Sequence, residues 1–274
     1  MENFNEPITY ISDCRDDNTT GRLRARVSTY FPGSNVIFVG VKNDVEAAIN
    51  LVDIVDAYEG RPGVVLLNVA PRHGEAQKKW PNGTPFGWVK LDNIDLFTTI
   101  DGLSLSLLQK VRGKNIDVKV YDIPKTVPQM DLTPEVQERI IHTQFRSFDY
   151  LPRLAAAIMM GKELEVTEMF SGVPEMKPMI CWVDSFGNMK TNVLPEEIGF
   201  EVGREVVFRV SGHKQFRLPC YERLKDIPND YVALTVGSSG MHQNRFVEIM
   251  QQGGSASESL GVGSGTDLEI VGRV

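Results

Sequence analysis

Two hydrophobic rhythms divide this chain, and the change from one to the other limits what it can fold into. In the first 70 residues the apolar runs "PITYIS", "SNVIFVGV" and "GVVLLNVA" are continuous and rich in β-branched residues, as in strands covered on both faces. Helical patterns separate them. "TTGRLRARVSTYF" spaces Leu23, Val27 and Phe31 four apart, and "DVEAAINLVDIVDAYEG" opens on Asp44 as an expected N-cap and closes at Gly60. Strand, helix, strand, helix, strand predicts an α/β layered domain with a largely parallel sheet. Further on, "LTPEVQERIIHTQF" predicts a helix with Thr133 as N-cap and Pro134 in its first turn, and "DYLPRLAAAIMMGKE" another that stops at Gly161. The segment "ELEVTEMFSGVPEMKP" is polar and punctuated by Pro and Gly, which places the domain boundary at 172/173. From Met179 the rhythm becomes short alternating runs between Gly, Pro and Asn, as in "EVVFRVSG" and "YVALTVGSSG". Residues 173–274 therefore read as a small all-β domain, barrel or sandwich, after an α/β domain over 1–172.

Composition excludes several classes. With 42% hydrophobic and 24% charged residues the chain is ordinary for a globular protein, and no run of roughly 18 apolar residues is present to span a bilayer. The opening "MENFNEPITYIS" lacks a basic, apolar leader, so a cytoplasmic location is expected. A net charge of −7 argues against binding a nucleic-acid backbone, and the arginines of "GRLRARV" do not share one helix face. Cys14, Cys181 and Cys220 are scattered and odd in number, as suits small buried residues in a reducing compartment. His73, His142, His213 and His242 lack metal-ligand spacing, so no metal or other cofactor is expected.

P-loop, dinucleotide, HExxH and GxSxG signatures are absent. "GSSG" at 237–240 has the composition of an anion-binding nest or of a plain hairpin loop. Asp13 follows the first strand, where a carboxylate can accept from a ribose diol or simply cap a helix. "WVDSFGNMKTNV" reads as a hairpin, yet it crowds Asp184, Phe186 and Asn188 onto one turn.

"ITYISD", "DVEAAINLVDIVDAYEGRPGVVLLNVAPRHG", "LDN" at 91–93, "VDSFGNMKTNV" and "EIMQQGGSASESLG" occur in the order and spacing of the S-adenosylmethionine hydroxide adenosyltransferase family, which includes fluorinases and chlorinases, and the chain resembles that family over most of its length. The resemblance implies a C-terminal β-barrel and a homotrimer that binds S-adenosylmethionine between one subunit's α/β domain and its neighbour's barrel. A nucleophile there attacks ribose C5′ and displaces methionine, without a metal. It implies that Asp13 holds the ribose hydroxyls, that Asp184 meets the methionine ammonium, and that Phe186, Asn188 and the backbone near Gly253 form the adenine pocket. Asn43 falls where halogenases carry a ring-packing tryptophan, and Ser239 where they place an arginine for the methionine carboxylate.

The family's hydrolases activate water with an Asp–Arg–His set. Here those positions read Ala70, the vicinity of Gln77 and Lys78, and Phe145. Ser147 matches the small residue halogenases use nearby, and Asn68, Arg72, Arg146 and Asp149 are polar groups in the same neighbourhoods. His73 is the candidate replacement base, or else a residue of an exposed loop. Two functions follow: a protein that binds S-adenosylmethionine and hydrolyses it to adenosine and methionine, or a binding or regulatory protein that keeps the scaffold without the chemistry.

Overall fold

A computed structural model describes residues 4–69, 71, 80, 83–210 and 214–273. The chain forms two compact units. One comprises Met1–Ala47, Ala57–Leu105 and Lys114–Pro174, the other Ala48–Asp56, Ser106–Gly113 and Glu175–Val274. Two helical segments, 48–56 and 106–113, thus group with the C-terminal strands.

In the first unit β1 (Ile8–Ser12), β2 (Val36–Gly40) and β3 (Gly63–Asn68) carry the sheet; α1 (Asp17–Tyr30) links β1 to β2, and α2 (Asp44–Ala57), whose residues 48–56 group with the second unit, links β2 to β3. The hairpin β4 (Phe86–Leu91) and β5 (Ile94–Thr99) follows, then β6 (Val118–Tyr121) and β7 (Glu168–Phe170). The sheet order is β2-β1-β3-β5-β4-β6-β7. Strands β2, β1, β3 and β5 run parallel, while β4 is antiparallel to both of its neighbours and β7 antiparallel to β6. The expected α/β layer is present, with antiparallel strands added on one side. The predicted apolar face of α1 is confirmed: Leu23, Val27 and the capping Phe31 are buried with Tyr10 and Leu66 in one core.

Helix ends depart from expectation in two places. Asn43, rather than Asp44, caps α2: its Oδ1 accepts from the Glu46 amide at 2.9 Å. Asp44 instead accepts from the Leu103 amide at 2.8 Å, which ties the helix start to a later loop. Thr133 precedes the helix Pro134–Ile141 but makes no side-chain cap bond. Gln137 reaches back there and donates to the Leu132 carbonyl at 3.2 Å.

The second unit holds β8 (Ile180–Val183), β9 (Met189–Thr191), β10 (Glu205–Val210), β11 (Lys214–Pro219), β12 (Val232–Met241), β13 (Asn244–Gln251) and β14 (Leu268–Arg273). They pair antiparallel as two sheets, β11-β10-β14 and β12-β13-β9-β8. Isolated bridges Met179–Asp267 and Cys220–Leu234 join the sheet edges, β8 to β14 and β11 to β12, which closes the ring as a barrel does. Strand β10 buries every second residue, and Val206, Phe208 and Val210 enter a core with Leu218, Val247 and Ile249. Cys181 and Cys220 are buried, as expected of small apolar residues, whereas Cys14 is half-buried. Among the described residues no helix is long and apolar enough to cross a membrane.

Candidate functional site

The loop Asp184–Asn188 connects β8 to β9. Its carboxylate builds it: Asp184 Oδ1 accepts from the amides of Phe186 (2.9 Å) and Asn188 (3.0 Å), and Oδ2 accepts from the Asn188 side-chain amide (3.1 Å). A carboxylate holding its own loop by three such bonds makes a rigid turn. Gly187 completes it at φ +82°, and a Cβ there would stand 2.0 Å from Ser255 Oγ. That contact, with the Ser257 amide donating to the Gly187 carbonyl at 3.0 Å, docks the loop on the start of the short helix Ala256–Leu260. "DSFGN" and "GGSASESL", far apart in sequence, therefore meet in the same unit. Asn188 is buried, yet Phe186 is 77% exposed. A fixed backbone thus holds a large ring out in solvent, an arrangement that contributes nothing to the core. Gly253 sits on the turn before Ser255 at φ +80°, with open space where a side chain would project.

Beneath the loop lies a buried line of charge that the sequence reading missed. Lys190 and Glu248 are cross-strand partners on β9 and β13. The ammonium stands 2.6 Å from Glu248 Oε2, a charge contact off the hydrogen-bonding direction, and 4.0 Å from Asp184 Oδ2. Both side chains are inside, at 8% and 0% exposure. The "GSSG" segment supplies the rest. It is a bulge in β12, where the register with β13 shifts between Val236 and Gly240. Its amides turn inward: Ser238 (2.9 Å) and Ser239 (3.4 Å) donate to Glu248 Oε1, and Gly240 donates to Asp53 Oδ1 at 2.9 Å. Ser239 Oγ donates to Asp53 Oδ2 at 2.9 Å. The segment is a nest after all, but its anions are the protein's own carboxylates. Ser239 is 2% exposed, and its hydroxyl is engaged by Asp53. Gly237 is required because a Cβ would stand 2.0 Å from Glu248 Oε1. Burial pushes the Asp53 carboxyl up to about 6 against its hydrogen bonds and the Lys190 charge. The signal for this network was legible as charges within apolar strand runs, on the face opposite the core residues: Glu248 between Val247 and Ile249, and Lys190 between Met189 and Thr191.

In the N-terminal unit the expected polar groups gather where the parallel strands end. Ser12 is in register with Gly40 and Asn68. Its hydroxyl accepts from the Cys14 amide at 3.1 Å and from Asn68 Nδ2 at 3.4 Å. Asp13 follows directly, half-buried, and accepts from the Cys14 thiol at 3.7 Å. Burial, then the Asp13 charge, raises the Cys14 pKa, so that thiol stays protonated. Asn43 is exposed beyond β2 and is engaged as the cap of α2.

The other candidates hold different posts. Ser147 is buried, and its carbonyl accepts from Tyr10 Oη at 2.8 Å. Phe145 stacks on Phe148 with centroids 5.3 Å apart, and the Arg22 guanidinium lies over both rings at 5.0 and 4.7 Å. Arg146 donates to the Thr84 carbonyl at 2.5 Å, and Asp149 accepts from Thr143 Oγ1 at 2.6 Å. His73, Ala70, Arg72, Gln77, Lys78 and His213 lie outside the described residues.

Residues 178–269 match the family model for the SAM hydroxide adenosyltransferase C-terminal domain. Among solved structures the chain is similar to an uncharacterized conserved protein from Thermotoga maritima, with TM-score 0.70 and 20% identity, over 97% of this chain and 100% of that one. It is also similar to a conserved hypothetical protein from Thermus thermophilus, with TM-score 0.62 and 18% identity over 97% and 100%. At these identities the likeness is one of fold. No curated protein sequence matches. The rigid Asp184 loop lies inside the matched segment, so the resemblance to the SAM hydroxide adenosyltransferase family is carried by the C-terminal domain.

Proposed function

We propose that this protein binds S-adenosylmethionine, with the adenine held by the Asp184–Asn188 loop. The observation that carries the reading is Phe186, a ring 77% exposed on a backbone fixed by hydrogen bonds and docked on a helix start. Every base offers a π face to such a ring, and one base stacked on an aromatic side chain is worth about 1–3 kcal/mol. Asn188, fixed beside it, carries the amide that reads a base edge. Asp184 uses both oxygens to build the loop, so its part is first to position Phe186 and Asn188, and only then to offer negative charge to an ammonium. Asp13, at the end of β1, presents a carboxylate of the kind ribose hydroxyls donate to.

A sulfonium leaves readily, so displacement at C5′ needs an aligned and activated nucleophile more than it needs help for methionine. The family's water-activating set reads here as Ala70, the Gln77–Lys78 vicinity and Phe145, and Phe145 offers a stacked ring with no proton acceptor. Binding without hydrolysis is therefore the reading, with a homotrimer as the expected assembly. Calorimetry with S-adenosylmethionine and adenosine, followed by chromatography for released adenosine, tests it. Saturable binding with no adenosine formed is expected; adenosine accumulating with time would restore hydrolysis, and no binding of either ligand would overturn both.

A further inference from the structure

A cavity of about 450 Å³ lies in the N-terminal unit, between the end of α1, the segment after Gln129 and the helix Leu151–Met159. It stands apart from Asp13. Helix α1 returns antiparallel to β1, and the Ile8 amide donates to the Asn35 carbonyl at 3.0 Å, so Tyr30 lies at the edge where β1 begins. Tyr30, Met130, Leu132, Ala156 and Ala157 give the cavity apolar walls.

One group in it is out of place. Arg153 lines the cavity with its side chain 6% exposed, and its buried Nε has no hydrogen-bond partner among the described residues. Of five guanidinium donors, the fork makes one hydrogen bond to the described residues, from Nη1 to the Asp149 carbonyl. The nearest carboxylate, Asp149, is 3.9 Å away and already accepts from Thr143. The Tyr30 ring lies 5.2 Å from the guanidinium carbon. A buried charge of this kind is costly unless something pairs with it, and unsatisfied buried donors are rare enough to call for an explanation. Burial holds the Arg153 pKa below its ordinary value; Tyr30 and Asp149 oppose that shift, while Arg26 and Arg139 add to it.

We propose that this cavity is a binding site for a small organic monocarboxylate with an aryl or medium-chain apolar body, its carboxylate on the Arg153 fork. A carboxylate brings two acceptors in the plane the guanidinium requires, and the apolar walls cover the remainder. A dianion such as a phosphate monoester fits less well, because Asp149 and Asp131 flank the site and Lys162 is already paired with Asp131 at 2.8 Å.

Calorimetry on the full chain with octanoate, octanamide and octylamine tests this, with benzoate as the aryl probe. Octanoate should bind at least tenfold more tightly than the amide, and the amine should not bind. Arg153→Met should lose that preference at least tenfold while melting no lower than the parent, because it removes a poorly paired buried charge. Ala157→Trp should fill the cavity and abolish octanoate binding with the charge still in place. Equal binding of octanoate and octanamide, no octanoate binding, or undiminished binding by Arg153→Met in a folded protein would each overturn the proposal. S-adenosylmethionine binding should be the same in every variant, so this inference and the proposed function fail separately.

Discussion

Replacing Lys190 with methionine tests whether the buried charge network supports the fold beneath the Asp184 loop. Methionine keeps the volume and the strand position while removing the ammonium 2.6 Å from Glu248 and 4.0 Å from Asp184. Glu248, at 0% exposure, then keeps the two amides on Oε1 and loses its counter-charge at Oε2. Stranding one member of a buried ion pair destabilises a fold by about 3–5 kcal/mol. The two amides still satisfy Oε1, so the lower end, about 3 kcal/mol, is expected here. Urea unfolding followed by circular dichroism measures it. The double variant Lys190→Met with Glu248→Gln separates pairing from packing, because a glutamine amide oxygen still accepts from Ser238 and no stranded charge remains. It should recover most of the loss. A single-variant loss below about 1 kcal/mol, within the range of a surface ion pair, would show that water reaches Glu248 and that the network is not structural.

Phe186→Ala should leave the melting temperature unchanged, because the ring is exposed, and should weaken S-adenosylmethionine binding by about 1–3 kcal/mol in calorimetry; unchanged affinity would remove the ring from the site. Asn188→Ala should lower affinity by a similar amount, roughly 1–3 kcal/mol, with some loss of stability because Asp184 Oδ2 loses a donor. Gly187→Ala should damage stability and binding together, since its Cβ would meet Ser255 at a positive φ. Asp53→Asn addresses pH. With the folded carboxyl at about 6, above the unfolded value, the protonated form is the stable one. Its contribution is complete below about pH 4 and is lost as the pH rises through about 6, a span of about 3 kcal/mol. Asparagine can keep both partners, accepting from Gly240 and donating to Ser239. Denaturation at about pH 5 and about pH 8 should show the variant gaining roughly 1–2 kcal/mol on the parent, and a constant difference would refute the shifted carboxyl.

The fold was legible where one face of one element decided the answer. Leu23, Val27 and Phe31 announce a helix face and are buried together, and the three continuous runs are paired parallel strands. The β4–β5 hairpin, with Asp92 at φ +53° in its turn, and the three-residue β7 went unread, because their places are set by pairing with distant strands. The capping of α2 shows a smaller failure of the same kind. Asn43 and Asp44 are both good caps by type, and only the Leu103 amide, 59 residues later, decides that Asp44 is used elsewhere.

The candidate site divides along that same line. The Asp184 loop could be read locally because its bonds span four residues at most, and the carboxylate, the αL glycine and the amide needed to close it stand together in "DSFGN". "GSSG" could not be read that way. Its composition says that inward-turned amides will hold an anion, yet the anions come from Asp53, 186 residues away, and from Glu248 on the facing strand. Their arrival fills the apparent phosphate nest with the protein's own carboxylates and ties the Ser239 hydroxyl to Asp53. The same reasoning carries to Arg153 with the opposite result. There the polar partners that distance could have supplied are few: one hydrogen bond, an ion pair at 3.9 Å and the Tyr30 ring are what the described residues offer a buried guanidinium. A nest whose anions are internal calls for no ligand, and a fork left open beside an apolar cavity does.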